Sequence, residues 1–304
     1  MNFADTLLRK ALRAYEWHSP LSLGKTRLLQ VVDSIMPLKG VYRSTTKFGA
    51  VMDLDLSQHV QRRIYFEGLY EKPLLDLMTA VADATSRKVF FDVGANVGHH
   101  SLYAVLRLHF ERVFSFEPFP TTYRALRRNI SLNLPDDVIQ TCECAVSDRE
   151  ADFLMVSPSE SNDGMNFIVG CPAADNTRPR VHSTSLDLFT LQHHIREIDM
   201  LKIDVEGAEF DVLKGAAGLL KNVRIGYIFI ELCDKNLARF GANSAAVLTF
   251  MHGIHYSGFL FKRSGLKLIR ADSVLPEYGE CVFIPSKNLQ VFTQMAGKNK
   301  IRFE

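Results

Sequence analysis

The run VFFDVGANVGHHS, residues 89–101, carries an apolar stretch into Asp92 and then into a turn holding Gly94 and Gly98. Glycines there let the backbone bend sharply and let a ligand approach where a Cβ would stand. Asn96, between them, tolerates positive φ better than most residues. A glycine turn alone is a weak signal. A second apolar run, 112–116, ends in Glu117. An acid at the end of the second strand can accept hydrogen bonds from both ribose hydroxyls of an adenosine, so the pair predicts a nucleoside site. Charge narrows the occupant. A dinucleotide would set its pyrophosphate at the turn, where helix amides welcome an anion and Asp92 would be a poor neighbour. S-adenosylmethionine brings a sulfonium and an ammonium instead, and a carboxylate attracts both.

Further acids stand at the ends of later apolar runs. Asp204 closes a strand expected over 199–205 and Glu231 one over 225–232. In a doubly wound sheet, ligands meet the carboxyl ends of the strands, which sets these two side by side over the reacting centre. Glu206 and Glu209 follow at a helix start, where the helix dipole favours acids. Glu209 reads as a cap; Glu206 reads as a cap or as a third reactive carboxylate. Lys202 lies inside an apolar run and needs a carboxylate partner if buried.

These residues need a scaffold, and from Lys88 the pattern alternates strand and helix. Strands are expected at 88–93, 112–117, 138–146, 199–205 and 225–232, with helices near 99–109, 120–133 and 208–220. That alternation predicts an α/β fold with a mostly parallel, doubly wound sheet. Residues 150–185, rich in Pro, Ser, Asn, Asp and Gly, read as hairpins or loops over the sheet edge. A helix over 243–252 and strand-like runs at 256–262 and 281–284 predict a closing hairpin with one antiparallel strand. Upstream, amphipathic helices are expected at 3–16 and 25–36, a hairpin at 41–56 and a helix at 73–85. This divides the chain into a helical and hairpin cap (1–60), a main domain (61–290) and a tail (291–304).

Composition limits the rest. In 304 residues, 36 Lys and Arg balance 34 Asp and Glu, so a net charge of +2 does not announce a nucleic-acid partner. Five cysteines without a CxxC pair read as reduced thiols, and no apolar run approaches a membrane span. With no signal-peptide core in MNFADTLLRKALRAYEWHSP, the expected location is cytoplasmic.

The pieces IYFEGLYE (64–71), DVGANVGHHS (92–101), FSFEPFPTTYRALRRNISLN (114–133), CAVSD (144–148), TSLD (184–187), LKIDVEGAEFDVLKGA (201–216) and IFIEL (228–232) resemble the FkbM-type methyltransferases. The resemblance covers about 60–235 and implies a class I, Rossmann-like fold using S-adenosylmethionine. It implies methyl transfer to a hydroxyl of a sugar, glycan or glycosylated metabolite. Carried over residue by residue, Asp92, Gly94 and Gly98 line the methionine end, Asn96 contributes its backbone, and Glu117 holds the ribose. Pro118 and Phe119 flank the adenine, and the turn Ala145-Val146-Ser147-Asp148 meets its edge. His99 and His100 depart from the apolar or aromatic residues expected there and are read as packing or solvated. For the chemical step, Asp204, Glu231 and Glu206 are the catalytic candidates. Direct base action is favoured over a divalent metal, because no third carboxylate or Asn follows Glu231 at once. A nucleic-acid or other small-molecule methyltransferase, or a non-catalytic cofactor-binding module, is the alternative, and a homodimer is possible.

Overall fold

The computed structural model describes Arg13 and residues 39–83, 85–134, 137–170, 178–262, 265–298 and 301–303. Apart from Arg13, the helices expected over 3–16 and 25–36 lie outside these residues. The described chain begins with the expected hairpin, β1 (Val41–Thr45) and β2 (Val51–Asp55), followed by helices α1 (His59–Glu67) and α2 (Lys72–Ala82). Next come β3 (Val89–Val93), α3 (His99–Leu106), β4 (Arg112–Phe116), α4 (Pro120–Ser131) and β5 (Ile139–Cys142). Four short strands then leave the main sheet: β6 (Ala145–Val146), β7 (Ala151–Val156), β8 (Phe167–Gly170) and β9 (Arg180–Thr184). The chain returns through α5 (Leu186–Gln192), β10 (Ile198–Ile203), α6 (Glu209–Lys214), α7 (Ala217–Lys221) and β11 (Ile225–Cys233). It ends with α8 (Asp234–Leu237), α9 (Ser244–Gly253), β12 (Tyr256–Lys262), β13 (Gly265–Ile269), β14 (Tyr278–Pro285) and α10 (Leu289–Lys298).

The eight-stranded sheet runs β13-β12-β14-β11-β10-β3-β4-β5. Its five strands from β11 to β5 are parallel, and β14 inserts antiparallel between β11 and β12. Parallel strands covered on both faces must be apolar on both, and every residue of β3 is buried. Successive side chains alternate between two cores. Phe90 joins Phe229, Phe259 and Phe292 on one face, while Phe91 joins Phe114, Phe116 and Ile228 on the other. The strand order reverses between β3 and β10, and the crevice above that reversal is where such sheets take ligands. Residues 291–298 run within α10, whose Phe292 is buried against Tyr227 and Phe259.

Two expected elements divide. The strand read over 138–146 stops at Cys142, and Ala145 and Val146 pair instead with Ser183 and Thr184 of β9. Alternating apolar residues report burial, not which neighbour receives the hydrogen bonds. The helix read over 208–220 breaks after Lys214, because Gly215 passes so close to Ser147 that a Cβ would sit 2.0 Å from its carbonyl oxygen. The restarted turn is capped from afar, with Gly218 N and Leu219 N donating to the Asp187 carboxylate at 2.7 and 2.9 Å. Residues 150–185 do form strands, a β7–β8 hairpin extended by β9. Among the described residues, no helix is long and apolar enough to cross a membrane.

The N-terminal hairpin is fastened to α4 and to the glycine turn. Asn129, with no exposed surface, accepts from Asp53 N at 2.8 Å and donates through Nδ2 to Val97 O at 3.0 Å. Asn133 accepts from Val51 N and donates to Val51 O, both at 2.7 Å. Arg43 and Arg128 both bond the Asp53 carboxylate and hold its pKa below the usual range. Asn129→Ala would leave two buried backbone groups unpaired at about 1–3 kcal/mol each. Urea unfolding of that variant should show a loss of roughly 2–4 kcal/mol; a loss below half a kcal/mol would mean that water replaces the amide.

Candidate active site

The glycine turn is built by close approach. Gly94 has φ 83°, and a Cβ there would lie 1.8 Å from the carbonyl oxygen of Asp204. Only glycine lets β3 and β10 end side by side. Asp204 N donates to Val93 O at 3.0 Å, and Gly94 N and Ala95 N both donate to Phe116 O, at 3.0 and 2.9 Å. Asn96 takes the left-handed conformation expected of it, φ 47°, its side chain accepting from Val97 N at 2.8 Å. Its own N–H donates to Glu117 Oε2 at 3.0 Å, and Phe119 N donates to Glu117 Oε1 at the same distance. Glu117 is thus aimed by two backbone amides. It is only 5% exposed, and burial outweighs those amides, pushing its pKa up to about 8.

A cavity of about 300 Å³ opens over the turn, and Glu117 is among the residues that line it. On one side it is apolar. Pro118, Phe119, Ala145 and Val146 line it as expected, with Ile168 and Phe167 added. Phe119, Ala145 and Ile168 belong to a small separate core with Phe153, Met155 and Val181, so this wall is firmly backed. On the other side stand Glu71, Lys202, Asp204, Glu206, Glu231 and Tyr278. Gly94 and Asn96 line the cavity; Gly98 begins α3 behind it.

Besides Gly98, two more expected binding residues, Asp92 and Asp148, do not line the cavity. Asp92 has no exposed surface and turns beneath the floor, where Ser101 Oγ donates to it at 2.6 Å and itself meets Ser115 Oγ at 2.7 Å. Strand alternation puts it on the sheet face covered by α3 rather than into the crevice. Asp148 bonds Arg149 Nη1 at 2.8 Å and faces Lys214 Nζ at 4.0 Å, outside the cavity lining. The turn carrying it leaves the main sheet with β6.

The polar side gathers the expected carboxylates around one ammonium. Lys202 is 3% exposed and donates from Nζ to Asp204 Oδ2 at 3.0 Å, the partner its burial demanded. Burial opposes its charge, but Asp204, Asp92 and Glu71 outweigh that and raise its pKa. Glu231 accepts from Tyr278 Oη at 2.9 Å and pairs in register with Glu280. Burial, then the charge of Asp204, pushes Glu231 up to about 9. Glu206 accepts from Asn236 Nδ2 at 2.7 Å, and burial and Asp204 lift it to about 7. Glu209 is the cap the sequence implied, accepting from Gly207 N at 3.0 Å.

Glu71 was not singled out in the sequence, and it stands beside Asp204 and Glu231. These three offer oxygens within 4.8 Å of one another, a set able to hold a divalent cation. The missing third carboxylate is therefore present, brought from far upstream. Burial raises the pKa of Glu71, yet the His100 side chain at 3.3 Å and the Lys202 charge bring it down to about 2. His99 and His100 are buried cavity residues, and His99 Nε2 accepts from Tyr70 N at 3.3 Å. Also unforeseen are the helical turn Asp163–Met165 and its neighbours Asn162 and Asn166, which line the apolar side. The available signals were the FEGLYEKP turn before α2 and the polar SNDGMN run between two strand-like pieces.

A Rossmann-like sheet closed by an antiparallel strand, with a cavity at its switch point, defines a class I methyltransferase. The profile of the Methyltransferase FkbM domain matches residues 92–261, more than half of the chain, which therefore belongs to the FkbM methyltransferase family. The methyltransferase sdnD of Sordaria araneosa is 28% identical over 187 residues, covering 53% of this chain and 72% of that protein. The hexuronic acid methyltransferase AglP of Haloferax volcanii is 24% identical over 235 residues, 75% of this chain and 83% of that protein. The crystal structure of a methyltransferase FkbM from Methylobacillus flagellatus superposes with a TM-score of 0.40 at 17% identity, covering 65% of this chain and 43% of that one.

The pKa of Glu117 gives a pH dependence with a definite sign. Its folded-state value, about 8, lies above the ordinary carboxylate value, so the folded protein binds more protons. Its contribution to stability is full below about pH 4.3, falls as pH rises, and levels off above about pH 8. The slope is at most roughly 1.4 kcal/mol per pH unit. Urea midpoints for Glu117→Gln should therefore fall less steeply than wild type between pH 5 and 8; parallel profiles would refute the shift.

Proposed function

We propose that this chain is an S-adenosylmethionine-dependent O-methyltransferase acting on a hydroxyl of a sugar, glycan or glycosylated metabolite. The observation that carries the reading is a single cavity joining Glu117, on its apolar side, to Asp204 and Glu231 at the ends of β10 and β11. Glu117, with each oxygen already taking one amide, keeps lone pairs for two ribose hydroxyls. The described lining includes no arginine, and its one lysine is engaged by Asp204, which suits a sulfonium and an ammonium better than a pyrophosphate. The polar side, rich in carboxylates, suits an acceptor that must lose a proton. The named activity of AglP, methylation of a hexuronic acid, supports a sugar acceptor.

In the reaction, the carbon–sulfur bond of the sulfonium breaks as the acceptor oxygen bonds the methyl carbon, leaving a neutral thioether. Positioning supplies much of the acceleration. The hydroxyl proton passes to the Asp204–Glu231 pair. Burial and the charge of Asp204 strengthen the hold of Glu231 on its proton, and Lys202 anchors Asp204, the carboxylate assigned here as acceptor of the hydroxyl proton. Glu71 removes the earlier argument against a metal; direct base action now rests on Lys202, which already supplies a cation to the cluster.

Calorimetry with S-adenosylhomocysteine tests the cofactor half. Glu117→Ala removes up to two hydrogen bonds to the ribose and should weaken binding about tenfold or more; unchanged affinity would sink the ribose assignment. For the chemical half, Asp204→Asn should cut turnover ~10²–10⁴-fold with cofactor affinity little changed. Wild-type activity should survive EDTA, and a loss restored by Mg²⁺ would replace the base with a metal. Mass spectrometry of glycans from cells with and without the gene would identify the acceptor.

A further inference from the structure

A second recess, of about 20 Å³, lies between the start of α2 and the strands β10, β11 and β14. It shares Glu71, Lys202, Asp204 and Glu231 with the main cavity and adds Glu280, while Leu74 and Phe229 supply apolar walls. That volume admits about one water-sized group. A group that enters it stands beside the Asp204–Glu231 pair assigned to the acceptor hydroxyl, so the recess belongs to the acceptor's side of the site.

Four carboxyl groups face this space against one ammonium, and that ammonium is engaged: Lys202 Nζ donates to Asp204 Oδ2 at 3.0 Å. Burial, then the charges of Glu71 and Asp204, pushes the pKa of Glu280 up to about 7, as expected of acids short of a counter-charge. A second observation, independent of that crowding, calls for a ligand. His100, 6% exposed, sets Nε2 at 3.3 Å from Glu71 Oε2, and both atoms are buried without a hydrogen-bond partner. Two buried polar atoms left in that state need a partner from outside the described chain.

A hydroxyl brings one donor. An ammonium brings three and no acceptor, so it can meet several carboxylate oxygens at once. A uronic acid would instead set a further anion against the cluster. We infer that the acceptor is an amino sugar whose protonated amine occupies this recess against Glu71 and Glu280. The inference rests on the methyl-transfer reading above and names its acceptor class. A protonated amine has no lone pair, so the methyl goes to oxygen. The neighbouring hydroxyl oxygen bonds the methyl carbon as the carbon–sulfur bond breaks, its proton passes to Asp204, and the ammonium is left unchanged.

The test offers the full chain, in EDTA, three acceptors of one ring configuration: methyl glucosaminide, methyl glucoside and methyl glucuronide. Release of S-adenosylhomocysteine from S-adenosylmethionine gives kcat/KM for each. Wild type should prefer the glucosaminide to the glucoside by roughly 10–100-fold. The glucuronide should be poorest, and tandem mass spectrometry should place the methyl on oxygen. Glu71→Gln should bring the glucosaminide-to-glucoside ratio near one, with S-adenosylhomocysteine affinity by calorimetry close to wild type. Glu280→Gln should lower the ratio in the same direction, and it carries the comparison if Glu71→Gln loses its native circular dichroism. A wild-type ratio near one, a preference for the glucuronide, a methyl on nitrogen, or a ratio preserved in folded Glu71→Gln would overturn the assignment. So would a folded Glu71→Gln that no longer binds S-adenosylhomocysteine, since Glu71 would then answer the cofactor's own ammonium. A wild type that binds S-adenosylhomocysteine but methylates none of the three would overturn the amino-sugar class alone. Failure to bind S-adenosylhomocysteine would overturn the cofactor reading beneath it.

Discussion

A single buried ammonium organises the centre of this protein. Lys202 enters from β10 between Asp92 beneath the floor and Asp204 and Glu71 above it, almost without exposure to water. Taking charges out of water is expensive, and the cost is met only where partners are well placed. That requirement fixes the register of β3 against β10, where Lys202 lies opposite Asp92. It also fixes the approach of Gly94 to the Asp204 carbonyl. The turn that shapes the cavity and the Asp204 carboxylate that lines it are thus aligned by the same pair of strands.

The two sides of the cavity follow opposite electrostatic designs. Around Glu117 the polar atoms are satisfied by backbone amides and backed by an apolar core, a rigid arrangement suited to recognition. Around Glu231 like charges crowd, and Glu206, Glu231 and Glu280 all hold their protons more tightly than free carboxylic acids do. Displaced proton affinities of this kind are what proton transfer at neutral pH needs.

What could be read from the sequence follows a physical boundary. The parallel strands, the glycine turn, Glu117 and the Asp204–Glu231 pair were legible because each depends on a local rule: apolar periodicity, a strand end, or the preference of Asn and Gly for positive φ. Lys202 was legible in the same way, since a lysine in an apolar strand requires an anion. Asp92 and Asp148 were misplaced because which way a strand-end side chain turns depends on neighbouring strands. Asp92 faces Ser101 and Ser115; Asp148 departs with β6, whose pairing with β9 spans nearly forty residues. Glu71 and Asp163 reach the cavity only through turns whose positions are set by helix docking. No spacing in the sequence announces such an arrival.

Gln61 ties together parts of the chain that are far apart in sequence. Its carbonyl accepts from Asp55 at the end of the N-terminal hairpin, and its amide donates to Asp163 in the cavity wall. If binding against that wall required an ordered hairpin, thermodynamic reciprocity would return the same free energy to the hairpin. A change in the order of the first strands would in that case be felt at the cavity through one glutamine side chain.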